Sequence, residues 1–231
     1  GLRPVSLVIP ATLGGYSVAT IDASSFSDNL LTSLTIPNSV ATIGRNAFAN
    51  NQLTNLIIPD SVVYIENDAF SNNKLTNLTI PDAVITIGSS TFANNQLATL
   101  KIGSGVVNIA SDAFSNNKLT NLTIPDAVIT IGSSTFANNQ LATLKIGSGV
   151  VNIASDAFSN NQLTTMYFPR NVENIGERAF SNNQLTNLTI GDTLETIGAG
   201  AFSGNLLTDI YIAEGVKSIG VKAFYGNRLV R

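Results

Sequence analysis

One spacing constrains this chain more than anything else in it. Phenylalanine stands at Phe26, Phe48, Phe70, Phe92, Phe114, Phe136, Phe158, Phe180, Phe202 and Phe224, every step being 22 residues with no insertion. An Asn follows three residues after each, from Asn29 to Asn227, and a Leu two residues after that, from Leu31 to Leu229. A fixed period of about 20–50 residues marks a stack of units, none of which can bury its apolar edge alone. The expectation is a single elongated solenoid of ten coils over 1–231. Residues 1–30 form an atypical first repeat, 31–228 the regular repeats, and 229–231 the start of a truncated further one.

The consensus reads N-x-L-T-x-L-x-I-P-x-x-V-x-x-I-G-x-x-A-F-x-x, and six of its positions are apolar rows. The L-x-x-L-x-I stretch is a strand with alternate residues inward at its end, so Leu34 and Ile36 face inward while Ser33 and Thr35 face outward. Pro37, Pro59, Pro81, Pro125 and Pro169 then end the strand, since proline cannot donate to a ladder. The V-x-x-I stretch turns back under the core, as a second short extended piece. Gly44, Gly88, Gly132, Gly176, Gly198 and Gly220 are expected to supply a turn with positive φ. The A-F-x-x-N stretch is expected to form one turn of 3-10 or α structure, with Ser111 and Ser155 as caps and Asp112 and Asp156 at its start. The predicted fold is β-rich, with one parallel sheet face and short helical turns. The Phe row becomes a continuous spine, and the Asn row satisfies turn backbone groups between coils through its amides.

Residues 74–117 and 118–161 are identical at all 44 positions. Folding alone tolerates drift at wet positions, so identity points to a recent duplication of a two-repeat unit or to deliberate engineering. The sequence leaves both open.

Several chemistries are excluded or unsupported. There is no Cys, which removes disulfides and thiolate catalysis, and no His, the commonest general base and metal ligand. Charged residues make up 12% of the chain and the net charge is −3, with no basic run, so nucleic acid has no electrostatic footprint to bind. No apolar stretch reaches the ~18–20 residues of a membrane-spanning helix. No phosphate-binding glycine loop, nucleophile elbow or calcium loop occurs, and no cofactor is expected. The chain begins without Met and without a signal segment and ends on the opening of a repeat, which reads as a mature or excised piece of something longer.

The string I-P-x-x-V-x-x-I-G-x-x-A-F-x-x-N, with L-T-x-L-x-I before it, resembles the BspA-like, or Treponema-type, leucine-rich repeat of bacterial surface proteins. In that class Cys often stands where Asn stands here. Val8-Ile9-Pro10-Ala11-Thr12-Leu13-Gly14-Gly15-Tyr16-Ser17-Val18 resembles the family's frequent first repeat, with a five-residue insertion between strand and Val. The resemblance covers essentially the whole chain. It implies a right-handed leucine-rich-repeat solenoid, an extracellular or bacterial cell-surface location, and protein or glycan ligands. No catalytic residues travel with it.

Repeat proteins bind through extended faces, so the outward strand rows were read for departures from uniformity. One row is Ser33, Asn55, Asn77, Thr99, Asn121, Thr143, Thr165, Asn187, Asp209. The next is Thr35, Ile57, Thr79, Lys101, Thr123, Lys145, Tyr167, Thr189, Tyr211. Against this Thr/Asn carpet, Lys101, Lys145, Tyr167 and Tyr211 are the candidate ligand-binding residues: aromatic side chains give anchoring area and long cations give charge pairing. Thr and Tyr are also simply good strand residues, and Lys keeps a surface wet. Interruptions by Asn, Lys, Ala98 and Ala142 weigh against reading the Thr array as an ice-binding lattice. The triplets beginning at Asn77, Asn121 and Asn187 match the N-glycosylation pattern, but the repeat generates them automatically. Charge gathers after residue 165, at either a diverged end of the array or a partner contact. The reading is a non-enzymatic adhesion or ligand-binding scaffold. A structural spacer or stalk and an engineered scaffold are the alternatives. The sequence carries no sign of the oligomeric state.

Overall fold

The computed structural model describes residues 5–230, so the outermost parts of the first-repeat and truncated-repeat assignments, 1–4 and 231, lie outside the described residues. It is a stack of 22-residue coils. Phe48, Phe70, Phe92, Phe114, Phe136, Phe158, Phe180 and Phe202 are wholly buried. From Phe26 to Phe224, adjacent rings in this row stack with centroids 5.2–5.6 Å apart and planes within 17°. The Ile, Val and Leu rows join them in one continuous core. Phe168, which replaces Ile in the third row, meets Phe180 and Phe202 edge-on and so adds to the spine from the side.

The Asn row joins each coil to the one before it. Asn117 Oδ1 accepts the Leu97 N–H at 3.0 Å, and its Nδ2 donates to the carbonyls of Phe92 at 3.0 Å and Phe114 at 3.1 Å. Asn51 through Asn205 repeat this pattern with little variation. Each amide thus supplies one acceptor and two donated bonds to backbone groups buried away from water. Asn29, in the first coil, donates instead to the nearby Ser27 carbonyl.

Two local expectations are corrected by the turns. Among the described residues no helix forms. The A-F-x-x-N stretch is a series of bends in which alternate N–H groups stay in the coil and leave it. Ala47 and Ala49 donate to Gly44 and Asn46, while Asn46, Phe48 and Asn50 donate forward to the carbonyls of Asn67, Ala69 and Ser71. Left-handed residues prevent the helical turn from propagating. Asn46, Asp68, Ser90, Asp112, Ser134, Asp156 and Arg178 have φ of 51–59°, and Asn50 to Asn182, at every 22nd residue, have φ of 53–56°. Asp112 and Asp156 therefore occupy left-handed turn positions rather than helix starts, and Ser111 and Ser155 have no helix to cap.

The glycine row has a different reason from the one expected. Gly44, Gly88, Gly132, Gly176, Gly198 and Gly220 are absent from the positive-φ positions, which fall two residues later. A Cβ on any of them would sit 2.3–2.8 Å from backbone of the preceding coil, so their role is close approach. After Asp22 in the first repeat, the copies that carry a Cβ, Glu66, Ala110 and Ala154, each follow a glycine copy. Positive φ is used in the first repeat instead, where Gly14 and Gly15 (φ 58° and 85°) join the antiparallel strands Thr12–Leu13 and Tyr16–Ser17. That hairpin is the insertion noted between Ile9 and Val18.

The sheet also differs from expectation. The continuous ten-stranded parallel sheet lies on the V-x-x-I side, from Thr20–Ile21 through Thr42–Ile43 and Tyr64–Ile65 to Ser218–Ile219, with only two residues per strand. The L-x-L side, expected to carry the sheet, forms parallel pairs instead. These are Val5–Val8 with Leu31–Thr35, Asn77–Thr79 with Thr99–Lys101, Asn121–Thr123 with Thr143–Lys145, and Thr165–Tyr167 with Asn187–Thr189. Within the duplicated block each pair coincides with one 44-residue unit.

Within the duplicated block, the paired junctions are also ones of close approach. Gly103 and Gly105 press onto the coil before them so closely that a Cβ would lie 2.3 Å from the Pro81 carbonyl and 2.1 Å from that of Asp82. Asp82 Oδ1 accepts the Ser104 N–H at 2.7 Å and the Ser104 hydroxyl at 3.1 Å. At the next junction, which carries no strand pair, Pro125-Asp126-Ala127 follow Gly103-Ser104-Gly105.

Candidate ligand-binding face

Lys101, Lys145, Tyr167 and Tyr211 all occupy the outward row that follows the second inward Leu. The alternation of the strands directs Lys101, Lys145 and Tyr167 to solvent, Tyr211 holds the same row position outside the described strands, and all four are exposed, Tyr167 by 66% and Tyr211 by 71%. Lys101 and Lys145 line one open groove of about 880 Å³, which also takes in Asp82, Ser104, Asn121 and Thr143. The groove exists because the strand pairs that bear the two lysines are not bonded to each other: it spans the open junction between Lys101 and Thr123. Lys101 also borders a second groove, of about 730 Å³, with Ile57, Asp60 and Asn77. The two tyrosines lie further along the same row and line neither groove.

The electrostatics of the groove are balanced rather than cationic. The hydrogen bonds from the Ser104 backbone and hydroxyl hold the Asp82 carboxyl below its ordinary pKa, and the Lys101 charge adds to this. Asp126 repeats the arrangement with Ser148 and Lys145. Each lysine therefore has an ionised carboxylate close by, and the hydrogen-bonding groups between them are Thr and Asn side chains. One of these, Asn121, accepts the Thr143 hydroxyl through Oδ1.

Two features of this face escaped the sequence reading. Ile57 is 82% exposed in the row that holds the lysines, and its departure from Thr was the available signal. Asp82 directly follows a strand-ending proline, and only the stacking shows that it orders Ser104 in the following coil. At the carboxy-terminal end, the charge concentration includes inter-coil ion pairs. Arg178 makes two bonds to Asp156, at 3.0 and 2.9 Å, and also meets Glu177, while Lys217 meets Glu195 at 2.7 Å. These pairs are largely exposed and add little stability. Among the described residues there is no group of three metal-ligating side chains, and no helix is long and apolar enough to cross a membrane.

The family description "BspA type leucine rich repeat region" matches residues 19–141 and 107–230, in six copies. No curated protein matches the chain in sequence. Among solved structures, the pneumococcal vaccine antigen PcpA is 24% identical with a TM-score of 0.65, over 98% of this chain and 71% of that one. A leucine-rich cell-surface protein from Faecalibacterium prausnitzii is 26% identical with a TM-score of 0.53, over 96% and 79%. YopM from Yersinia enterocolitica is 18% identical with a TM-score of 0.61, over 97% of this chain and 49% of that one, a likeness of fold alone.

Proposed function

The chain belongs to the BspA-type leucine-rich-repeat family, and from that premise we propose that it is a non-catalytic, surface-displayed binding scaffold that engages an adhesion ligand through its outward strand face. One observation carries the reading: the exposed departures Lys101, Lys145, Tyr167 and Tyr211 share one row, and the lysines flank an open groove there. A rigid stack presents such a row without ordering cost at binding, which is how repeat proteins use extended faces. Tyrosine supplies contact area at low entropic cost, and the Lys–Asp neighbours select for matching charge in a partner. The Faecalibacterium relative is described as a cell-surface protein, which supports display outside the cell.

The decisive measurement is saturable binding to immobilised extracellular-matrix proteins, comparing the parent with the quadruple variant Lys101→Ala, Lys145→Ala, Tyr167→Ala, Tyr211→Ala. Loss of at least about two orders of magnitude in affinity is expected if two of the four act as anchors. Equal binding by the variant would remove this face from consideration. The spacer reading draws on the uniform Thr/Asn rows of the duplicated coils, and it predicts no binding by the parent to any member of the panel.

A further inference from the structure

Three departures from the repeat meet at a corner of the long sheet, away from the strand face. In the outward row of that sheet, Tyr64 stands where the other coils have Thr42, Thr86, Asn108, Thr130 and Asn152. Glu66 stands where the adjacent coils have Gly44 and Gly88. Arg45 stands where later coils have Ser89, Ser111 and Ser133. The two coils concerned are neighbours, and stacking brings these side chains to the rim of one hollow of about 460 Å³, which Asn67 completes. That volume lies within the range of about 300–1,000 Å³ typical of small-ligand sites.

The polar groups there are held in place by one end and open at the other. Glu66 Oε2 accepts the Arg45 N–H at 3.0 Å, and Oε1 makes no hydrogen bond among the described residues. Asn67 Oδ1 accepts the Ser89 N–H at 2.8 Å, leaving its Nδ2 without an acceptor among the described residues. The Arg45 guanidinium belongs to none of the ion pairs formed among the described residues. Tyr64 is 50% exposed, so its ring offers a flat apolar surface beside these groups. None of the three departures serves the core, because the coils that lack them stack equally well.

We propose that this hollow is a glycan subsite that holds one pyranose unit, with the C–H face of the sugar on the Tyr64 ring. Glu66 accepts from one hydroxyl, and Arg45 and Asn67 donate to its neighbours. The chemistry selects this ligand class. A bare anion would meet the Glu66 carboxylate. An apolar side chain would cover two donors and an acceptor without satisfying them, which is unfavourable. A polyhydroxylated ring satisfies donors and acceptor together while its apolar face covers the phenol ring.

The repeat itself supplies the control. The triple variant Arg45→Ser, Tyr64→Thr, Glu66→Gly copies residues that later coils carry at the same repeat positions, Ser89, Thr86 and Gly88, so the fold is retained and the thermal midpoint should be unchanged. An array of immobilised neutral and acidic mono- and oligosaccharides is probed with the parent, with this variant, with Tyr64→Phe and with the strand-face quadruple variant. The parent is expected to hold a subset of sugars. The triple variant should lose at least about tenfold in affinity, equivalent to one ring-stacking or hydrogen-bonding contact. Tyr64→Phe, which keeps the ring, and the quadruple variant should bind as the parent does. Capture of no sugar by the parent, or undiminished capture by the triple variant, overturns the proposal. Loss in the quadruple variant alone assigns the sugar to the strand face and overturns it as well.

Discussion

The two long sides of the solenoid are made by the same coils yet bonded differently. On the turn side, every internal junction carries the stacked Phe, the bridging Asn and forward backbone bonds such as those from Asn46, Phe48 and Asn50. On the strand side, ladder pairing through the duplicated block is present within each 44-residue unit and absent between units. Continuity therefore does not follow strand length: the unbroken sheet has strands of two residues, and the interrupted face has strands of three. Within the duplicated block, pairing goes with the residues that follow each strand. Gly-Ser-Gly stands after the second strand of each pair, and Pro-Asp-Ala after the first.

Substitutions on each side separate these effects. Phe114→Ala should be the most damaging change, since it removes a wholly buried ring with a stacked partner on each side. A loss of about 3–5 kcal/mol is expected in denaturant melts. A loss under about 1 kcal/mol would show that the turn side does not govern stability.

Asn117→Ala leaves the buried Leu97 N–H without its partner and removes one of two amide donors from each of the Phe92 and Phe114 carbonyls, which keep Asn95 and Asn139. The expected cost is about 2–3 kcal/mol, with faster amide exchange at Leu97. A variant as stable as the parent would mean that water replaces the amide.

Gly103→Ala addresses the strand side, where the new methyl would overlap the Pro81 carbonyl. A cost of about 1–3 kcal/mol is expected. Amide exchange should accelerate at Ile80, whose N–H donates to Lys101 O at 2.8 Å, while Phe92 on the turn side stays protected. Equal acceleration at both would show that the two sides open as one unit.

The smallest effect concerns pH. Asp82 and Asp126 have carboxyls held below their ordinary value of 3.8 in the folded chain. Their contribution is present above that value and is lost as pH falls through the lower, folded one. Burial pushes Asp112 the other way, so its cost is relieved as pH falls through its raised value. The pairing bonds at Ser104 and Ser148 should therefore weaken only below about pH 4, read as faster amide exchange at those residues. In the variant Asp82→Asn, Asp126→Asn that step should vanish. Its persistence would assign it to other carboxylates.

The chain by itself determined the period, the coil count, the six apolar rows and the bridging role of Asn. A position that recurs every 22 residues without exception has the same environment in every coil, so the pattern and its physical reason can be read together. The four candidate residues were legible as departures from a row. Tyr64, Glu66 and Arg45 were legible by the same test, had it been applied to the rows beyond the first strand.

Tertiary structure alone decided the purpose of the glycine row and the location of the continuous sheet. A glycine that needs positive φ and a glycine that needs to lose its Cβ look alike in a sequence, and only a neighbouring coil at 2.3–2.8 Å distinguishes them. An alternating stretch specifies a strand, but pairing requires a partner at about 4.8 Å, and that distance is a property of two coils in contact. The grooves beside Lys101 arise from the same distances, so the shape of the candidate site could not be written in any single repeat.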